Sequence, residues 1–181
     1  MLYNVFMYIL SSNLIELPII SLQSGQLVSK TKGVLIDSST LTILALICEP
    51  NEEFLGPILL IRDIREFAID CILINSDSNL SEAEDIVRLR PLIEKPFVLM
   101  NIRVATEAGR RLGRVEDYTV DTGTFMVQKI YVHPTLLRGI LGSSLIIDRS
   151  QITDISPKLI TVKESTTSLP VSTEATRPIK S

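Results

Sequence analysis

A chain of 181 residues, 45% of them apolar, carries enough hydrophobic side chain to bury a core, which excludes a wholly disordered polypeptide. Its 18 basic and 21 acidic groups leave a net charge of −3, so no bulk positive field marks it for nucleic acid or for an anionic membrane surface. Aromatic residues make up only 5% and Trp is absent, while Ile, Leu and Val dominate, a composition suited to small aliphatic β-rich cores.

The chain opens with LYNVFMYIL at residues 2–10, apolar but interrupted by Asn4, without a basic flank. It is well short of the ~20 residues that span a bilayer, so neither a signal peptide nor a membrane span is expected. Cys48 and Cys71 have no third thiol or His pair beside them, which excludes the zinc spacings and leaves two buried strand cysteines. Without a disulfide framework or an export signal, the expected compartment is the cytoplasm.

Sliding the chain along itself shows an internal repeat. At an offset of 84 residues, SLQSGQLVSKTKGVLIDSSTLTILALICE (21–49) aligns with ATEAGRRLGRVEDYTVDTGTFMVQKIYVH (105–133), placing Gly25 on Gly109 and Asp37 on Asp121. Further along the offset is 88, and ILLIRDIREFAIDCILIN (58–75) aligns with IIDRSQITDISPKLITVK (146–163), placing Ile64 on Ile152. The four additional residues of the second copy fall between His133 and Ser144, where Pro134, Gly139 and Gly142 mark a loop.

The first copy is predicted over 14–80. A connector follows over 81–97, in which Ser81 and Glu84 form a capping-box pattern that predicts a short helix near 82–89, stopped by Pro91. The second copy is predicted over 98–163. There Arg114–Val120 and Phe125–Val132 read as strands joined by the Gly-containing connection 121–124, a hairpin signature. Leu145–Asp148 and Leu159–Val162 read as two further strands, with 150–155 as a turn that sends Ile152 and Ile155 inward. Short strands with regular turns suggest a small closed barrel, which would leave no exposed edges. From Glu164 the chain becomes ESTTSLPVSTEATRPIKS, too poor in large apolar residues to offset its ordering entropy, and 164–181 is expected to be a disordered tail.

The residues offer little for catalysis. His133 precedes Pro134 and no nucleophile motif accompanies it. Gly109-x-x-x-Gly113 lacks the Lys-Ser/Thr of a phosphate loop, so its glycines read as turn positions. Adjacent Glu116 and Asp117 point to opposite faces of a strand and make a poor acid/base pair. Charge is more informative: residues 14–80 hold four basic and nine acidic groups, net −5, and residues 98–163 hold nine basic and six acidic, net +3. Arg110, Arg111 and Arg114 form a candidate anion-attracting patch, and Leu136 and Leu137 a candidate apolar contact in the inserted loop. These five are the candidate protein-binding residues. No catalytic residue, cofactor or metal is expected.

The run Gly109-Arg110-Arg111-Leu112-Gly113-Arg114-Val115-Glu116-Asp117-Tyr118-Thr119-Val120-Asp121, then Gly123 and Ile130-x-Val132, resembles the PRC-barrel signature. The likeness covers about 98–163 well and about 14–76 weakly. In the first copy Ser29 replaces the second glycine and Gly33 the acidic Asp117. The resemblance implies an all-β chain of two small PRC-type barrels in tandem. That family includes the cytoplasmic part of the photosynthetic reaction-centre H subunit and the C-terminal domain of a ribosome-maturation factor, and its common denominator is protein docking. The resemblance therefore implies a non-enzymatic docking or scaffold module with a protein partner. The alternative is a factor associated with RNA processing or ribosome maturation, bound to RNA or a ribosomal protein.

Overall fold

A computed structural model describes residues 8–50, 56–68, 70–82, 87–134 and 144–164. The expected tail beyond Glu164 and the inserted-loop residues Leu136 and Leu137 lie outside the described residues.

The chain is all-β. Its strands are β1 (Tyr8–Leu10), β2 (Pro18–Ser21), β3 (Leu27–Asp37), β4 (Thr42–Cys48), β5 (Pro57–Leu60), β6 (Ile64–Phe67), β7 (Ile72–Ile74) and β8 (Leu80–Glu82). After a short helix, α1 (Arg90–Glu94), come β9 (Arg103–Thr106), β10 (Arg111–Asp121), β11 (Val127–Pro134), β12 (Leu145–Asp148), β13 (Ile152–Ser156) and β14 (Leu159–Val162). One sheet runs β6-β7-β2-β3-β4-β5-β8 and the other β13-β14-β9-β10-β11-β12, with β1 added beside β10.

Strands β2–β7 and β9–β14 repeat one topology. Each copy has a parallel pair, β2 with β7 and β9 with β14, among otherwise antiparallel neighbours. The backbone repeats in finer detail too. Non-glycine residues take positive φ at Glu16 and Asn101 (63° and 65°) and at Leu41 and Phe125 (51° and 55°). Glu16 N–H donates to the Thr31 carbonyl and Asn101 N–H to the Val115 carbonyl, both at 2.8 Å. Asp37 and Asp121 each close the hairpin turn after the long strand, accepting from the N–H groups of Ser39 and Gly123 at 2.9 and 2.8 Å. A short Asx acceptor two residues before a donor suits such turns. Ile64 pairs with Ile74, as Ile152 does with Val162.

Barrel closure differs from expectation. In each copy a three-residue 3-10 turn, Ile61–Asp63 or Arg149–Gln151, joins the two edge strands of the repeated sheet. Among the described residues no ladder joins β5 to β6 or β12 to β13, so neither copy closes through paired strands at this turn.

Three local readings are corrected. The segment 150–155 is not a turn: the turn is Arg149–Gln151, capped reciprocally by Asp148 and Gln151, and Ile152–Ser156 is strand β13. Ser81 lies in β8 opposite Ile58 and a capping box belongs to Ser76 and Asn79, while residues 83–86 of the expected helix lie outside the described residues. The described part of that helix, Val87–Leu89, is a 3-10 turn, and α1 follows from Arg90 with Pro91 in its first turn. Proline is favoured there, because its missing N–H would have had no intrahelical partner.

Period-two alternation, reset in β4 by the bulge between Ile43 and Ala45, assigns the core. In β4 and β5, Ile43, Leu46 and Leu59 face a cluster that continues into the second copy through Val127, Ile130, Ile147 and Ile160. Ala45, Ile58 and Leu60 face the opposite side, where Leu89, Leu92 and Ile93 of the connector cover them. Strand β5 is therefore buried along its whole length.

The copies meet at their hairpin tips. Ile43 N–H donates to the Phe125 carbonyl at 2.8 Å and Val127 N–H to the Leu41 carbonyl at 2.9 Å. The first strand crosses over as well, since β1 pairs with β10 before the chain enters its own half. Asp117 holds this crossing, accepting from the Ser11 N–H (3.1 Å), the Ser11 hydroxyl and the Ser12 hydroxyl (3.0 Å).

Candidate anion-accepting surface

The three signature arginines are exposed and differ in their partners. Arg110 is exposed at the end of the β9–β10 turn, and its Nη2 lies 2.9 Å from Glu164 Oε1. This pair lowers the Glu164 carboxyl pKa, although the Thr106 hydroxyl contributes more to that shift. Arg111 begins β10 opposite Ala105, and a bulge between Arg111 and Gly113 shifts the register before Arg114. Arg114 is exposed, and its Nη1 donates to the Asn101 carbonyl at 2.9 Å.

Arg114 has other cations for neighbours. Arg103 lies directly opposite it across β9 and β10, and Leu159, next to Lys158, lies beside Arg103 across the parallel pair. These three basic residues, with Val98, Met100, Asn101, Ile102 and Pro157, line an open depression of about 370 Å³. Among the described residues no carboxylate lines it. Val98 and Met100 are 60% and 40% exposed, so the cations surround apolar surface left uncovered by the fold.

Strand register explains why this face is basic in one copy only. Pro18 and Lys30 pair across β2 and β3 where Arg103 and Arg114 pair across β9 and β10. The position corresponding to Lys158 is Asp70, and that corresponding to Asn101 is Glu16, whose carboxylate pairs with Lys32 at 2.6 Å. Thus the first copy neutralises this face, while the second leaves it positive.

Reasoning from sequence passed over Arg103 and Lys158 because neither is near Arg114 along the chain. Arg103 could have been found by extending the repeat upstream of Ser21, once the loop before Gly25 is allowed one residue more than the loop before Gly109. Lys158 required the parallel pairing of β9 with β14.

His133 and the cysteines lie elsewhere. His133 Nδ1 is 3.5 Å from Glu116 Oε2 on the neighbouring strand, where Glu49 and Lys32 make the corresponding pair at 3.3 Å in the first copy. This is a cross-strand surface pair with the acidic and basic positions exchanged. Cys48 is buried in β4, and burial pushes its thiol pKa up to about 12; Cys71, expected to be a buried strand residue, instead lies just before β7 and is only partly buried, its pKa raised by desolvation and then by Asp70. Among the described residues no cluster of His, Cys, Asp and Glu could hold a metal ion, and no helix is long and apolar enough to cross a membrane.

Comparison with protein-family models and with curated proteins finds no match for this chain.

Proposed function

We propose that this chain is a non-enzymatic docking module of two PRC-type barrels, working in the cytoplasm, and that the face around Arg103, Arg114 and Lys158 receives an acidic segment of a protein partner. The observation that carries the reading is the convergence of three cations, without a carboxylate, around exposed Val98 and Met100. A protein interface combines apolar contact at its centre with charges that select the partner, and this face offers both. An RNA-binding face would carry stacking aromatics among its cations, and the lining residues include none.

The test is capture from native lysate with the wild-type chain and with a variant carrying Arg103→Glu, Arg114→Glu and Lys158→Glu, at low and moderate salt. All three positions are solvent-facing, so the variant keeps its fold and melting temperature. Proteins retained by the wild type and lost from the variant, with salt-sensitive retention, support the reading. Identical capture by both overturns it, as does retention abolished by nuclease, which would favour the RNA-linked alternative.

A further inference from the structure

A second cavity lies between the copies, of about 640 Å³, walled by Ser39 and Leu41 of the first hairpin and by Gln128, Arg149, Asp154 and Ile155 of the second copy, among others. The internal repeat shows what would fill such a space. The tip residue Phe125 corresponds to Leu41, and Phe67 corresponds to Ile155. On the first copy's side Phe125 and Phe67 pack edge to face with ring centroids 5.7 Å apart. On the other side the same two positions hold smaller aliphatic side chains, and the cavity is there.

Two further wall positions are polar where the first copy is apolar. Leu44 and Ile61, which pack in the apolar clusters of the first copy, correspond to Gln128 and Arg149. Among the described residues Arg149 Nη1 is buried without a hydrogen-bond partner. An unpaired buried guanidinium nitrogen is costly, and a carboxylate is the acceptor that matches it best. The two carboxylates in the wall do not serve it. Asp148 accepts from the Ser150 N–H and hydroxyl at 2.9 and 2.7 Å, and Asp154 is exposed, where solvent screens its repulsion of an incoming anion.

We infer that this cavity is a binding site for a small aromatic acid, whose ring takes the space that Phe67 and Phe125 fill in the first copy and whose carboxylate pairs with Arg149. Binding needs rotation about the terminal torsions of Arg149, so that its guanidinium turns from the wall into the cavity it lines.

The experiment titrates the full chain with 3-phenylpropionate, 3-phenylpropanamide and phenethylamine, reading amide shifts by NMR. Saturable shifts are expected for 3-phenylpropionate at Ser39, Gln128, Ser150 and Ile155, with binding by the amide weaker by about tenfold or more, the scale of a charge-assisted pair. Ile155→Phe and, separately, Leu41→Phe refill the space from opposite walls. Phe at position 41 is tolerated, because Phe125 already holds that backbone conformation. Each variant is expected to melt no lower than wild type and to lose the shifts. Arg149→Ile, which copies Ile61, is expected to abolish the preference for acid over amide. The inference is overturned by absence of saturable shifts at those amides, by phenethylamine binding as tightly as the acid, or by binding that survives in a folded refilled variant.

Discussion

Thr42 and Met126 face each other across an antiparallel bridge, and they are the same position of the repeat, 84 residues apart in the chain. The hydrogen bonds on either side exchange the same way, Ile43 to Phe125 and Val127 to Leu41. Corresponding residues thus meet around a local twofold relation, as they would at the interface of a symmetric dimer. The inward side chains of both copies then merge into one hydrophobic cluster.

Phe125 is the larger anchor of this junction, 7% exposed and in contact with Phe67. Phe125→Ala is expected to cost about 3–5 kcal/mol, the range for removing a buried aromatic side chain. Denaturant unfolding followed by probes in each half should also show less coincident transitions than in wild type. A loss under about 1 kcal/mol would place the coupling elsewhere.

The two copies answer differently to the same kind of substitution. Gly113 has φ of 154°, and an added Cβ would collide with the His133 carbonyl oxygen. Gly113→Ala is therefore expected to lose about 3 kcal/mol or more, as strain and collision combine at the bulge. At Gly33 an added Cβ would meet only Ile47 Cδ1 at 3.4 Å, and no left-handed conformation is required. Gly33→Ala should change stability by about 1 kcal/mol at most, because a restricted unfolded chain offsets slight crowding. Urea midpoints of the two variants test the contrast.

Asp117 ties the first strand to the second copy. Asp117→Ala leaves the N–H of Ser11 and two hydroxyls without their acceptor and is expected to cost about 1–3 kcal/mol, the range for orphaned partly buried donors. Amide exchange should accelerate first at Ile9 and Leu10, with the β10–β11 hairpin little affected. Uniform acceleration across both sheets would contradict a local clasp.

The turn carboxylates make stability depend on acid. The Ser39 hydroxyl and N–H hold the Asp37 pKa below its ordinary 3.8, and those of Ser150 do the same for Asp148. A carboxyl whose folded pKa is depressed contributes stability above its unfolded value and loses it as pH falls through the folded one. The urea midpoint should therefore drop below about pH 4. Ser39→Ala with Ser150→Ala should make that drop shallower, and an unchanged slope would assign the acid sensitivity to other groups.

Much of the repeat was legible because turns and strand periodicity are local. Gly25 and Gly109, Asp37 and Asp121, and the edges of Leu145–Asp148 and Leu159–Val162 follow from backbone preferences that act within a few residues. Local preferences and composition thus specify the β class, the paired copies and their opposite charge. The tertiary structure decided what depends on partners distant along the chain. The same local signals at Arg110, Arg111 and Arg114 do not predict that Glu164 pairs with the first while Arg103 and Lys158 join the last. Nor does alternation within a strand say that the sheets stay open, that residues 8–10 cross to the other copy, or that Leu41 and Ile155 leave a cavity where two phenylalanines stand elsewhere. Those outcomes depend on which strands pair and on how volume is shared between facing surfaces, and both are settled only when the whole chain packs.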